Sequence, residues 1–465
     1  AGSAGAQLIS SLRTSGNYRI KFIIDDNKNL WNRNISGIKI YAPNYLQKIE
    51  YKIDNVLLAI PSLSNERRKS ILIKINDYGF SILEVPSIEE ITEGKAKIEN
   101  LRRINIEDLL KRDVVAPIPE LLEKGIKDSI ILVTGSGGSI GKEISLQIKE
   151  MNPSKLILLD SNEKNLYELI NIFKNQKEVS FSTKFMLGDC CDEAFMNKLI
   201  INEKVQLIFH TAAYKHVSIV EENPIQGLKN NIISSYLICK LAASLKVRKV
   251  ILISSDKAVR PTNIMGASKR VSELIFQAFD SKYNDTCFSM VRFGNVLDSS
   301  GSVIPLFRKQ IKSLGPITIT HPEVFRYFMT IREASQLVIQ SSALAKGGEV
   351  FLLDMGEPIK IVNLAKQMIN LSGLTLKDKE NKNGDIEIIY TGLRSGEKLF
   401  EELLIDNNSK PTLHPLIFKA EEKFIKYGDI HPLIEELIKS LLDYDLENSL
   451  KLLKVIVPEW VRSLD

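Results

Sequence analysis

Two stretches of this 465-residue chain gather residue types that can do chemistry. The first is Thr134 to Gly141, TGSGGSIG, which follows an apolar run and leads into Lys142, Glu143 and Ile144, the opening of a helix. A strand, a glycine-rich turn and a helix in that order cradle a pyrophosphate. Gly135 permits the tight turn and Gly138 lets backbone N–H groups approach the phosphates. Gly141 lets the helix, with Ser139 and Ile140 in its first turn, pack closely and aim its positive end at the anion. The next apolar run ends in Asp160, whose carboxylate can accept hydrogen bonds from both ribose hydroxyls of an adenosine. Ser161 and Asn162 follow it, with no arginine for a 2′-phosphate, so NAD rather than NADP is the expected cofactor. Asp189, within GDCCD (188–192), either reaches the adenine or makes an ordinary turn. In HTAAYKHV (210–217) the small Ala212 and Ala213 let a cofactor lie flat across the sheet edge, and His210 is either part of that edge or a satisfied structural histidine.

The second stretch is Ser255, Asp256 and Lys257, delivered by the apolar run Val250 to Ser254, with MGASK (265–269) ten residues further on. The carboxyl ends of parallel strands are where open α/β sheets collect ligands. Met265 and Lys269 are spaced i, i+4 and share one helix face. Taken alone, a Ser-Asp-Lys triplet at a strand end is also an ordinary turn.

The elements that must position these residues follow from periodicity. Apolar runs at Ser129 to Thr134, Leu156 to Leu159, Leu207 to Phe209 and Val250 to Ile253 are separated by helix-length segments, the mark of a Rossmann-type doubly wound parallel sheet. Upstream, Gln7 to Leu12 starts a helix, Tyr18 to Ile24 reads as a strand ending in Asp25 and Asp26, Asn55 to Ile60 precedes a helix around Glu66 to Tyr78, and Ser81 to Val85 resumes strand character. The expected division is a small Rossmann-like α/β domain over 1–95, a linker with docking helices over 96–126 that carries Pro117 and Pro119, a catalytic domain over 127–405, and a C-terminal helical tail over 406–465. Ala1 to Gly5 (AGSAG) reads either as foreign linker or as the tail of a glycine-rich loop whose strand lies outside the chain.

Composition sets bounds on function. Sixty-two basic against 57 acidic residues leave a net charge of +5, and no aromatic stripe interleaves the lysines, so nucleic acid is not an expected partner. No window reaches the ~20 apolar residues needed to span a bilayer, so the chain itself is expected to be soluble. Cys190, Cys191, Cys239 and Cys287 have neither disulfide-framework nor zinc-site spacing; no metal is expected, and a reducing, cytoplasmic setting is the default.

MGASK occupies the place of the Tyr-x-x-x-Lys pair of the extended short-chain dehydrogenase/reductase (SDR) family, with Met265 at the tyrosine position. A thioether cannot exchange a proton. SSDKAVRPTNIMGASKR (254–270), RFGNVLDSSGSVIPLF (292–307), FRYFMTI (325–331) and GLRSGEKLFEELL (392–404) resemble the large, membrane-linked bacterial UDP-N-acetylglucosamine 4,6-dehydratases of polysaccharide and bacillosamine biosynthesis, over about residues 15–405 and including the methionine. The resemblance implies oxidation at C4, loss of water across C5 and C6, and return of the same hydride to C6. It makes Asp256 the acid near O6 and Lys257 the base near C5, with Lys269 on the nicotinamide ribose and Asp256, or a water held by Ser255, taking the 4-hydroxyl proton. A lysine base needs a lowered pKa, which burial, Lys269 and the cationic nicotinamide would favour. For the UDP-sugar the expected ligands are Lys215, Asn295, Arg326, Arg394 and Glu397, the arginines suiting a diphosphate through paired hydrogen bonds and Arg326 or its neighbour Tyr327 being packing instead. Full-length members carry N-terminal membrane helices, which places the longer protein on the cytoplasmic face of the bacterial inner membrane. Helices after the fourth and fifth strands pair subunits in the family, so a homo-oligomer is expected. The alternatives are a nucleotide-sugar epimerase of the same fold and a non-catalytic NAD-binding regulator.

Overall fold

Branched and leucine side chains in short unbroken runs suit strands covered on both faces, and those runs build the sheet that carries both motifs. The computed structural model describes residues 2–15, 18–49, 53–59, 65–78, 80, 82–84, 102–104, 106–110, 115–175, 181–404, 408–422 and 424–462. The chain divides into two compact units, one of Ala1–Val114, Leu306–Pro322 and Lys360–Thr391, the other of Val115–Pro305, Glu323–Ile359 and Gly392–Asp465.

The second unit is built on strands β1 (Ile130–Thr134), β2 (Lys155–Asp160), β3 (Ser182–Leu187), β4 (Leu207–His210), β5 (Lys249–Ile253), β6 (Cys287–Arg292), β7 (Val350–Leu353), β8 (Ser409–Pro411) and β9 (Ile417–Ala420). They form one nine-stranded sheet in the order β8-β9-β7-β6-β5-β4-β1-β2-β3. β1 to β7 run parallel, and the order reverses between β1 and β4, the switch point of a doubly wound α/β fold. Register aligns the carboxyl ends that matter: Thr134 lies opposite His210, and His210 opposite Leu252.

Along each strand the side chains alternate between two cores. Leu132, Ile157, Ile208, Val250 and Phe288 face one, and Ile131, Leu156, Phe209, Ile251 and Val291 face the other. The longer helices that cover the sheet include α1 (Ser139–Glu150), α2 (Glu163–Lys174), α3 (Glu193–Glu203), α4 (Ser234–Ser244), α5 (Ile264–Lys282), α6 (Ile331–Leu344), α7 (Tyr427–Leu442) and α8 (Leu446–Ile456). The first core packs on α3, α4, α5, α7 and α8, and the second on α1, α2 and α6.

Two expectations are corrected. The tail beyond 406 is not purely helical, because it first contributes β8 and β9; β9 pairs antiparallel with β7 and satisfies backbone groups that would otherwise form an open edge. The helix after the fifth strand does not offer a face to another subunit, because α5 is buried at every position from Ile264 to Phe279 and packs against α7 and α8 of its own chain.

The first unit is α/β in character but, among the described residues, holds three separate three-stranded sheets. Ile23–Ile24 pairs parallel with Ile38–Tyr41, and Val56–Leu58 parallel with Ile82–Glu84. The helix expected near Glu66 spans Asn65–Asp77, and another spans Ser3–Ser15. Ile60, Ser81 and Val85, expected in apolar or strand runs, lie outside the described residues, as do Ala1 and residues 96–101, 105 and 111–114 of the expected linker. Two segments expected inside the catalytic domain group here instead: Ile317–Ile319 pairs with Ile386–Tyr390, and the helix Ile361–Leu371 between them packs against Asn65–Asp77 and Ile106–Leu110. Among the described residues, no helix is long and apolar enough to cross a membrane.

Candidate active site

The glycine loop leaves β1 with Gly135 at φ +65°, a conformation that disfavours side chains. A Cβ there would lie 2.7 Å from the Ala212 Cα, and one on Gly141 would lie 2.2 Å from the Gly135 carbonyl oxygen, so both positions need glycine for the loop, α1 and β4 to close together. Gly138 caps α1 with no side-chain hydrogen bond, leaving the amides of Ser139, Ile140 and Gly141 without a side-chain acceptor at the cap. A Cβ-free cradle ending on a helix N-terminus fits a dinucleotide pyrophosphate.

Asp160 is buried and fastens the loop: its Oδ2 accepts from the Gly137 amide and its Oδ1 from the Asn162 amide, each at 2.8 Å. A carboxylate has about four acceptor positions, so ribose hydroxyls remain compatible with it. Asp189 is exposed and accepts from the Cys191 amide at 2.8 Å, which is the turn arrangement. Ala212 and Ala213 are half-buried, with Ala212 beside Gly135. His210 is buried, with Nδ1 2.9 Å from Thr134 Oγ1 and Nε2 3.4 Å from Ser234 Oγ. Burial, then the charge of Lys269, pushes its pKa down to about 3, so it is a neutral structural histidine.

At the end of β5 the chain turns through Asp256–Ala258, and Ser255, Asp256 and Lys257 form a hydrogen-bonded set. Ser255 Oγ donates to Asp256 Oδ1 at 2.7 Å, and Lys257 Nζ donates to the same oxygen at 2.9 Å and to Asn295 Oδ1 at 3.3 Å. Lys257 Nζ is also 3.5 Å from Glu401 Oε1. The Asp256 side chain is 2% exposed, that of Lys257 21% and that of Glu401 5%. The expectation of a lowered lysine pKa is corrected. Burial does oppose the ammonium, but the charges of Asp256 and Glu401 outweigh it and hold Lys257 above its ordinary value.

Helix α5 fixes this turn from behind. Asn263 caps it by accepting from the Gly266 amide at 2.8 Å, and a Cβ on Gly266 would meet the Lys257 carbonyl oxygen at 2.2 Å. Lys269 is buried and donates to the Ile253 carbonyl at 2.9 Å; burial draws its pKa down to about 8 despite Glu273. Met265 is 2% exposed and packs in the first core with Ile264, Ala267 and Val271. Deeper still, Ser254 Oγ donates to Glu273 Oε1 at 2.6 Å, and Glu273 and Glu422 share the guanidinium of the fully buried Arg292.

Of the expected substrate ligands, Asn295, Arg326 and Glu397 join the Lys257 cluster. Arg326 does not hold its fork open for a diphosphate: it donates to the Phe325 carbonyl at 2.7 Å and the Leu399 carbonyl at 3.2 Å, pairs with Glu397 at 3.2 Å and lies 3.8 Å from Glu401. Two carboxylates four residues apart in sequence claim it. Lys215 and Arg394 are exposed. Sequence reasoning missed Glu401, Glu273, Arg292 and Glu422. Glu401 stands in the GEKLFEELL motif four residues after Glu397, and the need of a buried ammonium for more than one counter-charge is the signal that points to it.

A family model described as polysaccharide biosynthesis protein matches residues 131–422. The chain is 39% identical to the capsular polysaccharide biosynthesis protein CapD of Staphylococcus aureus, over 95% of this chain and 74% of that one. It is 30% identical to a UDP-N-acetylglucosamine 4,6-dehydratase (inverting) of Campylobacter jejuni subsp. jejuni, over 64% and 84%. It is 31% identical to a UDP-glucose 4-epimerase of Rickettsia canadensis, over 60% and 78%. The X-ray structure of Pen from Bacillus thuringiensis superposes with a TM-score of 0.56 at 32% identity, covering 65% of this chain and 90% of that one.

Proposed function

The chain belongs to the polysaccharide biosynthesis protein family, and we propose that within it this protein is an NAD-dependent 4,6-dehydratase of a UDP-linked N-acetylhexosamine, UDP-N-acetylglucosamine first among them. The observation that carries this reading is the Asp256–Lys257 pair, 2.9 Å apart at the carboxyl end of β5, beside a helix that has methionine where an alcohol-oxidising tyrosine would stand. Elimination of water needs an acid and a base on one face of a sugar, and this pair supplies both. The likeness to a named 4,6-dehydratase supports the same reading.

Gly135, Gly138, Gly141 and Asp160 would hold NAD, which when bound would supply the hydride acceptor for C4 and the donor for C6. The chain's own groups do the rest. Ser255 Oγ, bonded to Asp256, passes the 4-hydroxyl proton to the Asp256 carboxylate, which then delivers it to O6 as water leaves. Lys257 takes the C5 proton and returns it. Lys269, held at the end of β5 and already easier to deprotonate, orients the cofactor's ribose. Asn295 keeps the Lys257 amine aimed, while Lys215 and Arg394 are exposed cations suited to the diphosphate.

The second reading is a 4-epimerase, which the likeness to the Rickettsia protein favours. Incubating the purified protein with NAD and UDP-N-acetylglucosamine separates the two by mass. A dehydratase gives a product lighter by one water, whereas an epimerase gives one of unchanged mass, and that result would replace this reading.

A further inference from the structure

The reaction proposed above uses one of the two carboxylates that touch Lys257 and leaves the other without a role. Glu401 has a side chain only 5% exposed, its Oε1 lies 3.5 Å from Lys257 Nζ and 3.8 Å from Arg326 Nε, and its Oε2 is buried with no hydrogen-bond partner among the described residues. A charged oxygen kept out of water without a donor is costly, so it persists where the surroundings or a reaction use it. Lys257, meanwhile, is an ammonium between two carboxylates and cannot accept a proton until it has lost one.

Resting on the dehydratase reading, we infer that Glu401 is a positioning residue that acts through Lys257, fixing its amine against Asp256 and Asn295 and storing the proton that the lysine sheds before it can serve as base. The Nζ–H bond breaks and an O–H bond forms on Glu401, with the electron pair staying on nitrogen. That pair takes the C5 proton. The C5–H electrons become the C5–C6 double bond as the C6–O bond breaks, and O6 leaves as water with the proton that Asp256 carried from O4. When Lys257 gives its proton back to C5, Glu401 returns the stored one, so both end each cycle as they began. The groups that set this balance are Asp256 and Glu401, which favour the ammonium, the Arg326 guanidinium, which opposes it and is itself held by Glu397, and the neutral Asn295. Opposite charges close to an amine raise its pKa and their removal lowers it, so the raised value of Lys257 agrees with the geometry.

The first measurement is independent of turnover: the pH dependence of Lys257 acetylation by acetic anhydride, followed by peptide mass spectrometry on the intact chain. Wild type should show a midpoint above the ordinary lysine value of about 10.4. Glu401→Gln should lower it by about one pH unit or more, and Glu402→Gln, whose ion pairs are with Arg260 and Lys398, should leave it in place. An unmoved midpoint in Glu401→Gln overturns the inference; if that variant does not fold, a wild-type midpoint below the ordinary value does so. The second measurement is kcat against pH. Glu401→Gln should lose about 10²-fold at neutral pH with KM little changed, recover as the pH rises through its new lysine pKa, and be rescued by Glu401→Asp. A loss of the same size at every pH means a merely structural role and also overturns it. Should wild type release no dehydrated product, the dehydratase reading fails while the acetylation midpoints still decide whether Glu401 controls Lys257.

Discussion

Replacing Lys257 by alanine removes the amine that Asp256, Asn295 and Glu401 all contact, and leaves the glycine cradle on the other side of β4 untouched. The expected outcome is loss of turnover by at least about 10²-fold with NAD still bound, measured by product mass spectrometry and by the absorbance of cofactor released on denaturation. Retained activity would remove Lys257 from the mechanism. His210 gives a pH prediction with a definite sign. Its folded pKa, about 3, lies below the ordinary 6.5, so between those values the unfolded chain binds a proton that the folded one refuses. Stability from this residue is present above about pH 6.5 and drains away as the pH falls toward 3, so a His210→Asn variant should show a flatter dependence of Tm on pH across that window. At this scale the sequence was informative where function depends on contiguous residues. TGSGGSIG and Ser255-Asp256-Lys257 could be read directly, and the two readings of His210 needed only its neighbours to decide them. Glu401 was not legible in the same way, because its partner lies in a distant motif and a carboxylate in a Lys-Leu-Phe-Glu-Glu stretch reads as a solvated face.

A glycine and a buried ion network hold the elements that carry those residues. Gly266 sits where α5 touches the turn after β5, and its missing side chain leaves room for the Lys257 carbonyl, which a Cβ would meet at 2.2 Å. Gly266→Ala should therefore shift that turn, lower stability by about 1–3 kcal/mol and reduce kcat more than it reduces NAD binding. Thermal melts and turnover measured on one preparation check both parts. Arg292, fully buried at the end of β6, is shared by Glu273 and Glu422, and Ser254 at the end of β5 bonds to Glu273. Arg292→Met leaves two buried carboxylates short of their partner, and urea unfolding should show a loss of about 3–5 kcal/mol. A loss under about 1 kcal/mol would mean that Arg270, which touches both acids, is a sufficient counter-charge alone. The parallel strands could be read from composition because strands buried on both faces cannot hide their apolar runs. β8 and β9 could not, since Ser409–Pro411 is exposed and polar and takes its place only because β7 lends β9 an edge to pair with. The grouping of 306–322 and 360–391 with the N-terminal residues was hidden for a related reason: the contacts of helix Ile361–Leu371 with Asn65–Asp77, and the pairing of Ile317–Ile319 with Ile386–Tyr390, are long-range.

At the scale of the whole molecule, the C-terminal helices make α5 an internal element. Ile430, Ile434, Leu437 and Leu441 of α7 and Leu452, Leu453 and Ile456 of α8 are buried in the core that α5 also enters. Ending the chain at Lys426 would bare that face, and the shortened protein should self-associate or precipitate in size-exclusion chromatography with light scattering; a well-behaved species with unchanged melting would contradict this packing. Any assembly of the whole chain must use a surface other than α5. The central claim concerns what happens to a sugar at the Asp256–Lys257 pair, and one measurement reaches it directly: mass and NMR spectra of the product formed from UDP-N-acetylglucosamine in heavy water. The account predicts loss of one water together with deuterium at C5, since Lys257 removes and returns that proton in exchange with solvent. An intact sugar nucleotide recovered unchanged, or a product that has lost no water, would contradict it.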